Sequence, residues 1–132
     1  MLKIHAVSGA FLTASLLAFA PQTALADASA SETVTAATHA DLAAQSADIK
    51  GVHTHLHHVL NCLLGPNGNG FDAKELNPCA NAGHGAIPDT TDAAKQKLLN
   101  AAADKARAGI MAADLKTAQA DAREASALLK RK

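Results

Sequence analysis

The sequence predicts an all-α protein: a small antiparallel three-helix bundle with one long disulfide-stapled loop, following a cleaved signal peptide. Three observations predict this fold. An apolar run near the N-terminus has the form of an export signal. Two later segments repeat apolar residues at helical spacing, and the segment between them is rich in Gly, Asn and Pro, which is typical of a loop.

The N-terminal residues are expected to direct export and then to be removed. Lys3 precedes an apolar run at 6–20, and small residues two apart lead to Ala26, so residues 1–26 are predicted to be a signal peptide cleaved after Ala26. The run is shorter than the ~20 residues of a membrane-spanning helix. We therefore expect a periplasmic or secreted mature chain without a membrane span. It should begin with a flexible leader at 27–37, which is poor in large apolar residues.

The first helix is predicted over about 38–64. Thr38 and Asp41 have the spacing of a capping box, and the apolar residues that follow advance in alternating steps of four and three. Gly65 and Pro66 end the helix, because glycine accepts the left-handed conformation after a last turn and proline cannot continue the helix. The predicted buried seam comprises Thr38, Leu42, Gln45, Ile49, Val52, Leu56, Val59 and Leu63.

A loop is predicted over 65–90, since this segment has no sustained period and contains many Gly, Asn and Pro residues. Cys62 precedes the loop and Cys79 lies within it. An exported chain with two cysteines is expected to form a disulfide, here between Cys62 and Cys79, which would hold the first half of the loop. A pair of thiolate metal ligands is the alternative if the protein is kept reduced.

A helical hairpin is predicted over about 91–130, where the chain is rich in alanine and Gly109 interrupts the helical pattern. We expect two helices, at about 91–108 and about 113–130, that fold against the first helix. One long bent helix is the alternative. The three helices together make one helical domain at 38–132, with a thin core because the chain has much alanine and neither Trp nor Tyr.

Charge and motifs exclude several classes of function. Twelve basic and twelve acidic residues balance, and no basic stripe carries aromatic residues, so nucleic acid is not an expected partner. The sequence contains no zinc-protease, serine-hydrolase or phosphate-loop motif. We therefore expect a protein that is not an enzyme.

Four of the seven histidines lie in the stretch HTHLHHVLNC, near the end of the predicted first helix. His53 and His57 are four residues apart and share one helix face, whereas His55 and His58 share another. We expect His53 and His57 to be the primary ligands of a Cu, Zn or Ni ion, with His84 from the loop completing the site. His55 and His58 are expected to be auxiliary ligands.

These residues predict a small exported protein that binds a transition metal ion for buffering, delivery or tolerance of the metal. His39 is expected to lie too far along the first helix to join the site without a second chain. One alternative is a structural or interaction module whose disulfide loop docks on a protein partner or a second copy. Another is haem held between a histidine and Met111, although no C-x-x-C-H motif is present.

Overall fold

The computed structural model describes residues 22–131, which fold into four α-helices without a strand. The helices are α1 (Gln22–Gln45), α2 (Ile49–Leu64), α3 (Ala93–Met111) and α4 (Leu115–Leu129). The all-helical prediction is confirmed, but the predicted number of three helices is wrong. Residues 1–21, most of the predicted signal peptide, lie outside the described residues, so its cleavage stays a prediction. None of the helices in the described range is long and apolar enough to cross a membrane.

The segment 27–37, expected to be a flexible leader, belongs to α1. Ser29 and Glu32 in this segment are buried. The Ser29 hydroxyl donates to the carbonyl of Ala86 over 2.8 Å, and Glu32 Oε1 accepts from the amide of Gly85 over 2.9 Å. The segment therefore gains its order from polar contacts with a distant loop, and a scarcity of large apolar residues is a poor guide to order in such a case.

The helix predicted over 38–64 is in fact two helices, because the chain reverses direction at residues 46–48. Asp48 is the N-cap of α2, and its side chain accepts a hydrogen bond of 2.7 Å from the amide of Gly51. Thr38, the predicted cap, lies inside α1, where its hydroxyl donates to the carbonyl four residues earlier. As a result, α2 runs back along α1.

The core combines the predicted seam of α2 with alanines of α1. Leu42, predicted to be buried in the first half of the seam, is 42% exposed. A glycine in α3 shows how closely the helices approach, since a Cβ on Gly109 would lie 2.5 Å from Leu56 Cδ1. The buried side chains of α1 and α2 include Ala36, Ala40, Ala43, Val52, Leu56, Val59 and Leu63.

The predicted hairpin is present as α3 and α4, which begin and end close to the expected positions. Asp92 caps α3 by accepting from the amides of Ala94 and Lys95, and Asp114 caps α4 by accepting from the amide of Thr117. The interruption before Asp114 rules out the alternative of one bent helix. Both α2 and α4 pack between α1 and α3, so the four helices enclose one core.

The loop between α2 and α3 is held first by covalent and side-chain contacts. The predicted disulfide joins Cys62 and Cys79, both buried, and indicates an oxidising compartment. Asn61 is fully buried, and its amide nitrogen donates to three loop carbonyls while its Oδ1 accepts from the amide of Asp72 over 2.9 Å. The three carbonyls are those of Asp72 at 3.0 Å, Glu75 at 3.3 Å and Leu76 at 3.1 Å.

The later part of the loop returns to the C-terminal end of α2. The amides of Ala86 and Ile87 each donate a hydrogen bond of 3.0 Å to a carbonyl in the last turn of that helix. Gly65, which ends α2 as predicted, has a φ of 66°, and a Cβ there would lie 1.5 Å from the carbonyl oxygen of His84. Only glycine allows both this conformation and this close approach.

Candidate metal centre

Three histidines of α1 and α2 bring their ring nitrogens together. His39 Nδ1 lies 3.2 Å from His55 Nδ1 and 3.3 Å from His58 Nδ1. One ligand atom from each of the three residues lies within 4.8 Å of the other two, and no second group of three His, Cys, Asp or Glu within residues 22–131 does so. We call these three residues the His triad.

The corner at 46–48 creates the His triad. His55 and His58 are three residues apart on α2 and therefore lie on one face of that helix. Because the chain reverses at the corner, His39 of α1 lies opposite that face. The sequence interpretation missed His39 because in one uninterrupted helix, with a rise of ~1.5 Å per residue, it would lie about 24 Å from His55.

Burial keeps two members of the His triad neutral. The pKa of His39 is lowered to about 4, mainly by burial and further by the neighbouring His58 and His55. Burial is also the largest cause that lowers the pKa of His58, and the neighbouring His55 is the next. His58 is only 8% exposed. Both side chains are therefore neutral at pH 7, which is the form of imidazole that binds a metal ion.

No arrangement of protons gives each of the three Nδ1 atoms its own hydrogen bond within the His triad. A ring nitrogen carries either one hydrogen or one lone pair. Because His39 Nδ1 faces both His55 Nδ1 and His58 Nδ1, a full hydrogen bond with one of them leaves the other without a partner there. A metal ion would accept the three lone pairs together, so the residues fit such an ion.

The predicted primary ligands are not brought together, because His53, His57 and His84 each contact a different part of the chain. His53 Nε2 lies 3.2 Å from the carbonyl oxygen of Ala112, the residue that follows α3, and so links α2 to the hairpin. His57 Nδ1 lies 3.3 Å from Asp72 Oδ2 but makes no well-oriented hydrogen bond with it.

The remaining predicted residues divide between the His triad and the surface. His84 Nδ1 lies 3.3 Å from Asp89 Oδ1, within the same loop, and 72% of the His84 side chain is exposed. His55 and His58, predicted as auxiliary ligands, are the two that belong to the His triad. Met111, considered as a haem ligand, is 85% exposed at the end of α3.

Three imidazoles make a ligand set that suits Zn²⁺, Cu²⁺ and Ni²⁺ alike. No protein-family model, no curated protein and no solved structure matches the chain. The chemistry of the His triad is therefore the observation from which a function can be inferred.

Proposed function

We propose that this protein is a small exported helical protein that binds one transition metal ion through the His triad. The convergence of three Nδ1 atoms carries the proposal. Two nitrogen ligands at ~2.05 Å from a tetrahedral ion lie about 3.3 Å apart. The separations from His39 to His55 and to His58, 3.2 and 3.3 Å, are close to that value. They support a four-coordinate ion with a fourth donor in addition to the His triad.

The proposed role is buffering, delivery or tolerance of the metal rather than catalysis. The sequence lacks the motifs of the common hydrolases and phosphotransferases, which supports a binding role. The disulfide and the N-terminal export signal support a periplasmic or secreted location. Copper, zinc and nickel are the candidate metals.

Calorimetric titration of the oxidised mature protein with Zn²⁺, Cu²⁺ and Ni²⁺ tests the proposal. We expect one ion per chain. His39→Ala and His58→Ala should each weaken binding by more than about a hundredfold, since losing a ligand has a larger effect than losing a group that supports one. The matched control is His84→Ala, which removes an exposed histidine outside the His triad and should leave the affinity unchanged.

Two results would contradict the proposal. Equal affinity of the wild-type protein and the His39→Ala variant would show that the His triad is not the site. Loss of binding in His84→Ala but not in His39→Ala would instead restore the ligand set predicted from the sequence.

A second candidate function is docking of a protein partner on the disulfide loop. Leu76 is 65% exposed, yet its carbonyl accepts a hydrogen bond of 3.1 Å from the buried Asn61, so the loop presents an apolar side chain on an ordered backbone. A photoreactive residue in place of Leu76 should cross-link a partner in cells. The same probe at the exposed Lys116 of α4 is the control, and equal cross-linking at both positions would contradict this function.

A further inference from the structure

We propose that Glu75, on the disulfide-tied loop, supplies the fourth and only anionic donor to the metal ion bound by the His triad. This inference rests on the proposed function and assigns a metal-binding residue that lies outside the helices. It would make the loop part of the metal site rather than a mere connection between α2 and α3.

The backbone of Glu75 is held close to the His triad by Asn61. Asn61 follows His58 by three residues on α2, so the two side chains lie on the same side of the helix. The amide nitrogen of Asn61 donates to the carbonyl of Glu75 over 3.3 Å and to the carbonyl of Leu76 over 3.1 Å. The loop backbone at Glu75 is therefore held by these hydrogen bonds about one helical turn from His58.

The carboxylate of Glu75 has no partner within residues 22–131 of the protein. Glu75 is partly buried, and its carboxylate forms no ion pair or hydrogen bond with any residue of the described part of the chain. It is available to a cation.

Other nearby carboxylates are already engaged. Asp72 Oδ2 lies 3.3 Å from His57 Nδ1, and Asp72 Oδ1 accepts from the amide of Lys74 over 2.9 Å. Asp41, on the same helix as His39, is held by Lys130 at 2.7 Å. Glu75 is the acidic residue near the His triad whose side chain has no such partner.

To bind the ion, Glu75 would have to rotate its side chain towards the His triad. Its carboxylate is not among the atoms that lie within 4.8 Å of one another in the His triad. The side chain is only partly buried, so it can change rotamer without moving the loop backbone.

The charge of the site gives the physical reason for the movement. Three neutral imidazoles would leave a divalent ion with its full charge in a partly buried position, which is unfavourable, and a carboxylate ligand halves that charge.

The test compares Glu75→Gln with Glu124→Gln, which removes the same charge from an exposed position on α4. Zn²⁺ affinity is measured by competition with a chelator, and the visible spectrum of the Co²⁺-loaded protein reports the donors around the ion. We expect Glu75→Gln to weaken Zn²⁺ binding by about ten- to a hundredfold and to change the cobalt spectrum. Glu124→Gln should match the wild-type protein in both measurements.

The outcomes separate this inference from the proposed function. If Glu75→Gln binds Zn²⁺ like the wild-type protein while His39→Ala does not, the role of Glu75 is overturned and the His triad stands. If His39→Ala also binds like the wild-type protein, both proposals fail. Circular dichroism should show an unchanged fold for Glu75→Gln, because the carboxylate that it replaces forms no ion pair or hydrogen bond within the described residues.

Discussion

At the scale of single residues, the buried His39 should make the stability of the metal-free protein depend on pH. Its pKa is about 4 in the fold and about 6.5 in the unfolded chain. Between these values the unfolded chain binds more protons, so the free energy of unfolding falls as the pH decreases from 6.5 towards 4. After allowance for partial exposure, we expect a loss of roughly 1–2 kcal/mol between pH 7 and pH 5.

Urea unfolding in the presence of a chelator measures this dependence. The variant His39→Gln keeps a polar side chain that does not titrate, and its free energy of unfolding should change less between the two pH values. An identical change in the variant and the wild-type protein would show that His39 does not cause it.

Asn61 is the single residue on which the loop depends most. Replacing it by alanine removes four hydrogen bonds and leaves the buried loop groups without partners. We expect Asn61→Ala to lower the free energy of unfolding by about 3 kcal/mol, measured by denaturant titration. The control Asn100→Ala removes an exposed amide of α3, which bonds only to the carbonyl of Gln96, and should change stability by less than about 0.5 kcal/mol. Equal effects of the two substitutions would contradict this assignment.

At the scale of secondary-structure elements, the disulfide links the end of α2 to the middle of the loop. The cysteines are 17 residues apart in sequence. In the chain-entropy account, a bridge of this span stabilises a fold by about 3 kcal/mol. The double variant Cys62→Ser/Cys79→Ser should therefore have a free energy of unfolding lower by that amount, measured by denaturant titration. An unchanged free energy of unfolding would show that the hydrogen bonds of the loop hold it without the disulfide.

Elements with strong local signals could be predicted from the sequence. α2 has a leucine and valine seam, and Gly65 ends that helix. The hairpin has aspartate N-caps, but its break lies at 112–114 and not at the predicted Gly109, which is inside α3. Each signal arises within a few residues and corresponds to a local physical preference. These parts of the prediction are confirmed for that reason.

The corner at 46–48 and the helix before it could not be predicted in the same way. The sequence Ser46-Ala47-Asp48 contains neither Gly nor Pro, and the helical period runs through it. The one usable signal was Asp48, a good N-cap residue. In α1 most buried residues are alanines, beside Ser29 and Glu32, and this face has little hydropathic contrast with its surroundings.

The candidate site could be predicted only in part for the same reason. The shared face of His55 and His58 follows from their spacing within α2, and both were among the predicted ligands. The position of His39 beside them follows from the corner at 46–48, so its role could be found only from the fold. Local periodicity cannot show which of several histidine pairs faces a neighbouring helix.

At the scale of the whole molecule, Glu32 should make the free energy of unfolding depend on pH with a sign opposite to that of the His39 effect. Burial raises the pKa of Glu32, the nearby Asp89 raises it further, and the hydrogen bond from Gly85 lowers it less than burial raises it. Between the ordinary pKa of 4.5 and the raised value, the folded protein binds more protons than the unfolded chain. Stability contributed by Glu32 is therefore present below pH 4.5 and is lost as the pH rises through the raised pKa.

Glu32→Gln tests this effect by replacing a buried carboxyl with a neutral amide that can still accept the hydrogen bond from Gly85. We expect the variant to be more stable than the wild-type protein at pH 7 and to show no advantage at pH 4. Chemical unfolding at the two pH values measures the difference. A variant less stable than the wild-type protein at pH 7 would contradict the assignment of Glu32 as a group that the fold prefers to keep neutral.

The reversal of the chain between α1 and α2 places the His triad where a bound ion would link these two helices. His39 and His55 are separated by 16 residues, almost the span that the disulfide closes farther along the chain. A bound ion would therefore close a second ring of similar size, but a reversible one. The N-terminal helix would be firmly attached when metal is abundant and more easily released when it is scarce, so the protein's resistance to proteases would report the metal supply of its surroundings.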